Sequence, residues 1–272
     1  MVPVTTVIAC VITLFINLVL PIVVMIIFVA KNKNQGIGSA WWLGAAGFFV
    51  TQIIIRVPVL TILQSQSWFI NFANTNPLIY SFFLAFTAGL FELAGRFIVA
   101  KLMSKKLTFK RSLAAGLGHG GIEAMLLTGM TYVNNLIFII MINIGVFDKL
   151  IVMTSELGAD VSQLEMIKMQ LISIAPAMFL LAGFERLLAM TCHVAMSVLV
   201  CYGVTHKKAW ICALVCLSIH TAIDMTAGIT LVLPQSVATP IIYSVLTVVA
   251  SVSVVILIKI RLKMELSTNT NI

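Results

Sequence analysis

A set of ionisable side chains sits inside otherwise apolar stretches of this 272-residue sequence: Arg56, Glu92, Arg96, His119, Glu123, Glu185, Arg186, His193, His220 and Asp224. At mid-bilayer a charged group costs at least about 2.5–3.5 kcal/mol, so such groups pair, line a wet cavity, or both, and they mark function by default. Three pairs lie four residues apart, Glu92/Arg96, His119/Glu123 and His220/Asp224. In a helix that spacing sets both side chains on one face. Three helices would therefore each point a polar pair at something.

The chemistry open to these groups is that of Glu plus His. No Lys lies in mid-span, which removes a retinal-type Schiff base, and there is no HExxH, no GxSG with a partner His and no GxGD. A desolvated carboxylate can take a proton from water, and neighbouring imidazoles can orient that water or stabilise an oxyanion. Alternatively His119, Glu123, His193, His220 and Asp224 offer enough nitrogen and oxygen donors for a divalent metal such as zinc. Residue types alone leave both routes open. A buried Glu/His chain could equally serve as the relay of a proton- or ion-coupled transporter, or hold together a non-catalytic membrane scaffold. Arg56, Arg186 and Glu185 read equally well as supporting counter-ions and as structural clamps.

The elements that must position these groups are membrane helices. The chain is 61% hydrophobic and 10% charged, with mean hydropathy +1.11, whereas soluble domains carry about 25% charged residues. Seven apolar runs are each long enough for the ~20 residues that cross a bilayer: about Val4–Val29, Ala40–Leu63, Pro77–Leu102, Ser112–Phe147, Leu171–Tyr202, Ala209–Leu233 and Ser236–Ile258. The fourth is too long for one straight span and is expected to kink near Gly118–Gly121 or to overrun the outer surface. The +8 net charge does not indicate nucleic acid, because the basic residues sit in short clusters between the runs. Lys31 and Lys33, Lys101 to Arg111, Lys207 and Lys208, and Lys259 to Lys263 fall on alternate loops and hold most of the 17 basic residues. The positive-inside rule then places the N-terminus outside and the C-terminus in the cytoplasm. The expected architecture is all-α, a polytopic integral membrane bundle of about seven transmembrane helices.

Residues 1–272 read as one transmembrane domain in the cell membrane of a bacterium, with a catalytic core over about 77–233 and an outer-surface amphipathic segment over about 148–170. The first basic residue, Lys31, follows the first apolar run, so that run is expected to be a span and no cleaved signal. The five cysteines make no CxxC pair and read as small packing residues. At 1.5 Å per residue, Glu92 lies ~13 Å from the inner end of its run, His119 ~10 Å, Glu123 ~16 Å, His193 ~14 Å and His220 ~16 Å. Four helices thus deliver carboxylates and imidazoles to one layer in the cytoplasmic half of the membrane. Asp224, Glu185 and Arg56 lie further out, at about 21–26 Å.

Three blocks of this layer, Phe91-Glu92-Leu93-Ala94-Gly95-Arg96, Gly116-Leu117-Gly118-His119-Gly120-Gly121-Ile122-Glu123-Ala124 and His220-Thr221-Ala222-Ile223-Asp224, resemble the YhfC-type intramembrane proteases. These are relatives of the PrsW and CAAX-protease-and-bacteriocin-processing families, described as glutamic-type or metal-dependent. Phe184-Glu185-Arg186 with His193 forms a fourth, weaker block. The likeness covers roughly Phe91 to Asp224, and GHGGIEA is its specific part. It implies hydrolysis of a peptide bond in a membrane-embedded or membrane-proximal protein substrate, with no nucleic acid partner. Glu92 and Glu123 would be the candidate bases and His220 the electrophilic or water-orienting group. Asp224 would fix its tautomer or assist at the oxyanion, with His119 and His193 behind them and Arg96 in the basic position. One position departs: Leu93 stands where the EExxK pattern has its second Glu, or Phe91 where EExxxR has its first. Either register leaves a single carboxylate there, which puts weight on Glu123. Any cofactor is open: none, or a divalent metal held among His119, Glu123, His193 and His220.

Overall fold

A computed structural model describes residues 1–269, with side chains through Met264. All regular structure among the described residues is helical. Seven helices are long and apolar enough to cross a membrane: α1 Val4–Lys31, α2 Ile37–Gln64, α4 Pro77–Lys106, α5 Phe109–Asn143, α8 Pro176–Thr205, α9 Ala209–Leu231 and α10 Gln235–Met264. Three shorter helices join them, α3 Ser67–Thr75, α6 Val146–Glu156 and α7 Ser162–Ser173. The chain is therefore a multi-pass membrane protein, as its apolar runs require.

The boundaries differ from the hydropathy reading where backbone chemistry overrides apolarity. Gly145, at φ +77°, stops α5 before Phe147, and Pro176 opens α8 five residues later than the apolar run does. The segment over about 148–170, expected as one amphipathic helix, is two helices, divided at Gly158, whose φ of +74° gives the left-handed turn that ends α6. Asp160 then accepts the backbone N–H and the hydroxyl of Ser162, both at 2.9 Å, which starts α7 and holds its carboxyl below the usual carboxylate range.

Three of the long helices contain a wide, π-helical turn: residues Phe15–Val19 in α1, Phe49–Arg56 in α2 and Ala124–Gly129 in α5. Two of these immediately precede a proline, Pro21 and Pro58. A proline inside a helix has no N–H and its ring crowds the carbonyl four residues back, so the preceding turn opens. The third has no proline. It begins directly after Glu123, so α5 is regular through the glycine-rich block and widens beyond it. The irregular turn thus lies about one turn beyond Gly118–Gly121, the site of the expected kink.

The chain forms two compact units. One comprises residues 1–23 and 124–187. Its core gathers Cys10, Tyr132, Ile139, Phe147 and Phe179, with Thr13 donating to the Phe179 carbonyl at 2.7 Å. The other comprises residues 24–123 and 188–272 and contains the polar layer. In this second unit glycines let backbones meet. A Cβ on Gly44 would lie 1.9 Å from the Ala115 carbonyl oxygen, one on Gly118 2.0 Å from that of Trp41, and one on Gly95 2.7 Å from that of Gly47. Lipid tails are as apolar as leucine, so membrane helices associate through such close packing and polar contacts more than through hydrophobic burial. The five cysteines are free and buried, as packing residues are.

Candidate functional site

The glycine contacts fix how α2, α4, α5, α8 and α9 are turned, and that rotation decides which side chains meet. Gly116 and Gly120 of α5 let α8 approach: a Cβ on Gly116 would be 2.7 Å from Val194 Cα, and one on Gly120 3.0 Å from His193 Cβ. On α4, a Cβ at Gly89 would lie 3.0 Å from Leu217 and 3.4 Å from His220 Cβ, which brings α9 in. The polar faces of these helices converge as a result.

Glu92 is the hub. It is 4% exposed, and its Oε2 accepts from Arg96 Nη2 at 2.9 Å and from His119 Nε2 at 3.0 Å. His220 Nε2 lies 2.8 Å from the same oxygen and His193 Nδ1 3.5 Å. Arg96 Nη2 also donates to His193 Nδ1 at 2.6 Å. Because a guanidinium can only donate, Nδ1 of His193 is the acceptor, and a neutral His193 carries its proton on Nε2. That nitrogen lies 2.9 Å from Glu123 Oε2. His220 is held between two carboxylates, Glu92 on one side and Asp224 Oδ2, 3.3 Å from Nδ1, on the other. The His119 ring stands edge-on to Phe48, centroids 5.3 Å apart, and roughly parallel to His193 at 5.6 Å.

Glu92, His119, Glu123, His193, His220 and Asp224 thus come together with Arg96 in one unit. Arg56 joins less directly. It donates to Gln52 Oε1 at 3.2 Å and to the Leu84 carbonyl at 2.7 Å, so it reaches Glu92 through Gln52 and not as an immediate counter-ion. Glu185 and Arg186 fall in the other unit, where they pair with each other at 2.5 Å.

Gln52 is the residue that sequence reading missed. Buried in the wide turn of α2, it donates to Glu92 Oε1 at 3.2 Å and to the Ala88 carbonyl at 2.9 Å. Its signal was present: Gln52 and Arg56 are a fourth polar pair at helical spacing. An amide carries no charge, so a search for ionisable groups passes over it.

One ligand atom from each of Glu92, His119, Glu123 and His193 lies within 4.8 Å of every other, and all four residues are buried. Two imidazole nitrogens and two carboxylate oxygens suit zinc and similar divalent ions, whose four-coordinate ligand atoms stand about 3.3 Å apart at ~2.0–2.1 Å bonds. The two carboxylates offset the charge of Arg96 beside them, so the residue types fit such an ion, and ligation by His193 would replace its Nδ1 contact with Arg96, because a neutral imidazole has a single acceptor nitrogen. Glu92 takes the place that His220 holds in the sequence reading, with His220 behind it. Arg96 adds a separate feature: its Nε and Nη1 are buried without a hydrogen-bond partner. Arg96 and His119 share the wall of a small cavity of about 10 Å³ with Gly44, Ala115, Ser197 and Cys201.

Fold and cluster together define a multi-pass membrane protein with a buried carboxylate–imidazole centre assembled from several spans. The model of the YhfC intramembrane metalloprotease family matches residues 16–255, and the chain belongs to that family. The uncharacterized membrane protein YhfC of Bacillus subtilis (strain 168) is 31% identical over 191 residues, which cover 70% of this chain and 71% of that protein. No solved structure matches the chain.

Proposed function

We propose that the chain is an intramembrane endopeptidase whose peptide bond hydrolysis takes place at the Glu92/His119/Glu123/His193/His220 cluster. The observation that carries this reading is the arrangement around Glu92: two imidazole nitrogens and a guanidinium within 3.0 Å of one carboxylate oxygen, with a second Glu–His pair alongside. Polar contacts between membrane helices contribute only ~0.6 kcal/mol on average, which is little return for burying so many ionisable groups as structural glue. A reacting centre explains them.

Glu123 is the general base in this scheme. Its partner His193 is held by Arg96, so the carboxylate is oriented without being locked into the Glu92 network. Arg96, through the N–H groups on Nε and Nη1, faces the oxyanion of a tetrahedral intermediate. His220, flanked by Asp224 and Glu92, delivers the proton to the leaving amine. Glu92, His119 and His193 would hold a divalent ion, with Glu123 left beside it as the base; the ion when bound supplies Lewis-acid polarisation of a carbonyl oxygen. The order Glu92, Arg96, Glu123, His220 and Asp224 along the chain supports kinship with the PrsW and CAAX-processing proteases. The single carboxylate beside Leu93 is then offset by the second pair, Glu123 on α5 and His193 on α8.

Co-expression with a membrane peptide tests the proposal. Glu123→Gln should reduce cleavage by at least ~100-fold, the usual worth of a general base, at unchanged protein yield. Proton-coupled flux lost in the same variant, with no cleavage by the parent protein, would replace the peptidase with a transporter.

A further inference from the structure

A second cavity, far larger than the one beside Arg96, lies about one to two turns further along the same helices, at their nearer ends. Its volume is about 900 Å³, and its lining includes Asn34, Lys106, Lys110, Arg111, His206 and Met264. Those residues come from the α1–α2 connection, the end of α4 and the start of α5, the α8–α9 connection and the end of α10. Four chain segments that alternate along the sequence therefore meet at one face, which is the face bearing the basic clusters.

The lining has three cationic side chains and no carboxylate among the described residues. Lys106 and Lys110 are exposed to the cavity and its mouth, while Arg111 is half-buried. None of the three has an ionic partner among the described residues. The Nε of Arg111 is buried without a hydrogen-bond partner. Its guanidinium lies against Gly36, where a Cβ would stand 3.4 Å from the Arg111 Cζ. At φ +67° Gly36 is a position that other residues take only with strain, so the loop is shaped to admit the guanidinium. Asn34, Gln35, Ser39 and Thr108 add neutral donors around the same space. Like charges brought together without carboxylates repel one another, and an anion that accepts several hydrogen bonds removes that cost.

We infer that this cavity binds a phosphate group, carried either by an anionic phospholipid headgroup or by a soluble phosphate ester. Phosphate matches the site better than a carboxylate does, because its oxygens reach several donors at once and its charge answers more than one cation. The volume leaves room for the glycerol moiety of a headgroup. The basic face of a membrane protein meets the anionic leaflet, whose surface potential attracts Lys and Arg side chains. The site is independent of the peptidase reading.

Purified full-length protein in neutral detergent, at fixed ionic strength, tests it by direct binding of dihexanoyl phosphatidylglycerol, with dihexanoyl phosphatidylcholine and glycerol 3-phosphate as companions. The parent protein should bind the anionic lipid at least ~10-fold tighter than the zwitterionic one. Lys106→Gln/Lys110→Gln should weaken that binding roughly 10-fold or more, and adding Arg111→Gln should weaken it further. Lys31→Gln/Lys33→Gln removes the same charge from the same face outside the cavity, and should change binding less than ~3-fold. Helicity by circular dichroism checks that each variant is folded, and the first pair consists of exposed residues whose loss leaves no buried gap. Glycerol 3-phosphate binding as tightly as the lipid would assign the soluble source, and weaker binding the lipid source. Equal losses in the two double variants, or no preference of the parent protein for an anionic head, would overturn the site in favour of a diffuse surface charge.

Discussion

Glu92 and Glu123 are both buried acids in the same cluster, yet their surroundings separate them. Glu92 balances Arg96, accepts from His119 and has His220 Nε2 2.8 Å away, all at one oxygen. Its replacement by Gln leaves a buried guanidinium without its carboxylate, and breaking one partner of a buried pair costs about 3–5 kcal/mol. Glu92→Gln is therefore expected to lower folded yield as well as cleavage, measurable by fluorescence-detected size exclusion, whereas Glu123→Gln lowers cleavage alone. Gln52→Ala removes one donor from Glu92 and one acceptor from Arg56. It should cost about 1–3 kcal/mol, the penalty for stranding buried polar groups, and shift the thermal midpoint downward. Metal content is a third residue-scale test. Protein purified without chelator or affinity-tag metal should carry about one equivalent of zinc or a like divalent ion, lost in His119→Ala and His193→Ala. Wild-type zinc content in both variants would remove these two residues from the ligand set.

The helices owe their mutual rotation to glycine. Gly118 and Gly44 occupy places where a Cβ would come within about 2.0 Å of a facing carbonyl oxygen, and no rotamer change relieves a clash with backbone. Gly118→Ala and Gly44→Ala should each push α2 and α5 apart, lowering the thermal midpoint in detergent and separating His119 from Glu92. Gly38→Ala is the control. Gly38 is helical, and its nearest neighbour is a Val29 methyl at 3.9 Å, so Ala should be neutral or gain a few tenths of a kcal/mol in helix propensity. Equal stability of all three variants would show that the helix contacts are more forgiving than these distances imply. The wide turn of α2 belongs to the same scale. It presents Gln52 and Arg56 together toward α4, where they meet Ala88, Glu92 and Leu84.

At the scale of the molecule, the alternation of basic clusters proposes an orientation with the N-terminus outside and the C-terminus in the cytoplasm. Reporter fusions at Lys106 and Lys207 should read cytoplasmic, and fusions at Gln64 and Asp160 external. A cytoplasmic reading at Asp160 would invert the assignment. The phosphate cavity would then face outside, while the glycine contacts and the Glu92 cluster would stand unchanged. The orientation and the cluster are thus separately testable.

Hydropathy alone determined that this chain spans a membrane seven times, because a run of about 20 apolar residues has few other fates and the signal is local. The same local reading placed Glu92, His119, Glu123, His193 and His220 at one depth, since 1.5 Å per residue is a property of any helix. Depth is one coordinate, and rotation is the other. In water, an amphipathic stripe reports which side of a helix faces the core. In a bilayer both the lipid and the protein interior are apolar, so the facing of α2 or α9 leaves little trace in hydrophobicity. That facing is decided by contacts between residues far apart in sequence, Gly44 with Ala115, Gly118 with Trp41, Gly116 with Val194. Only the tertiary structure could therefore make Glu92 the hub, bring in the uncharged Gln52 and route Arg56 through it. It alone showed that Glu185 and Arg186 pair in a different unit.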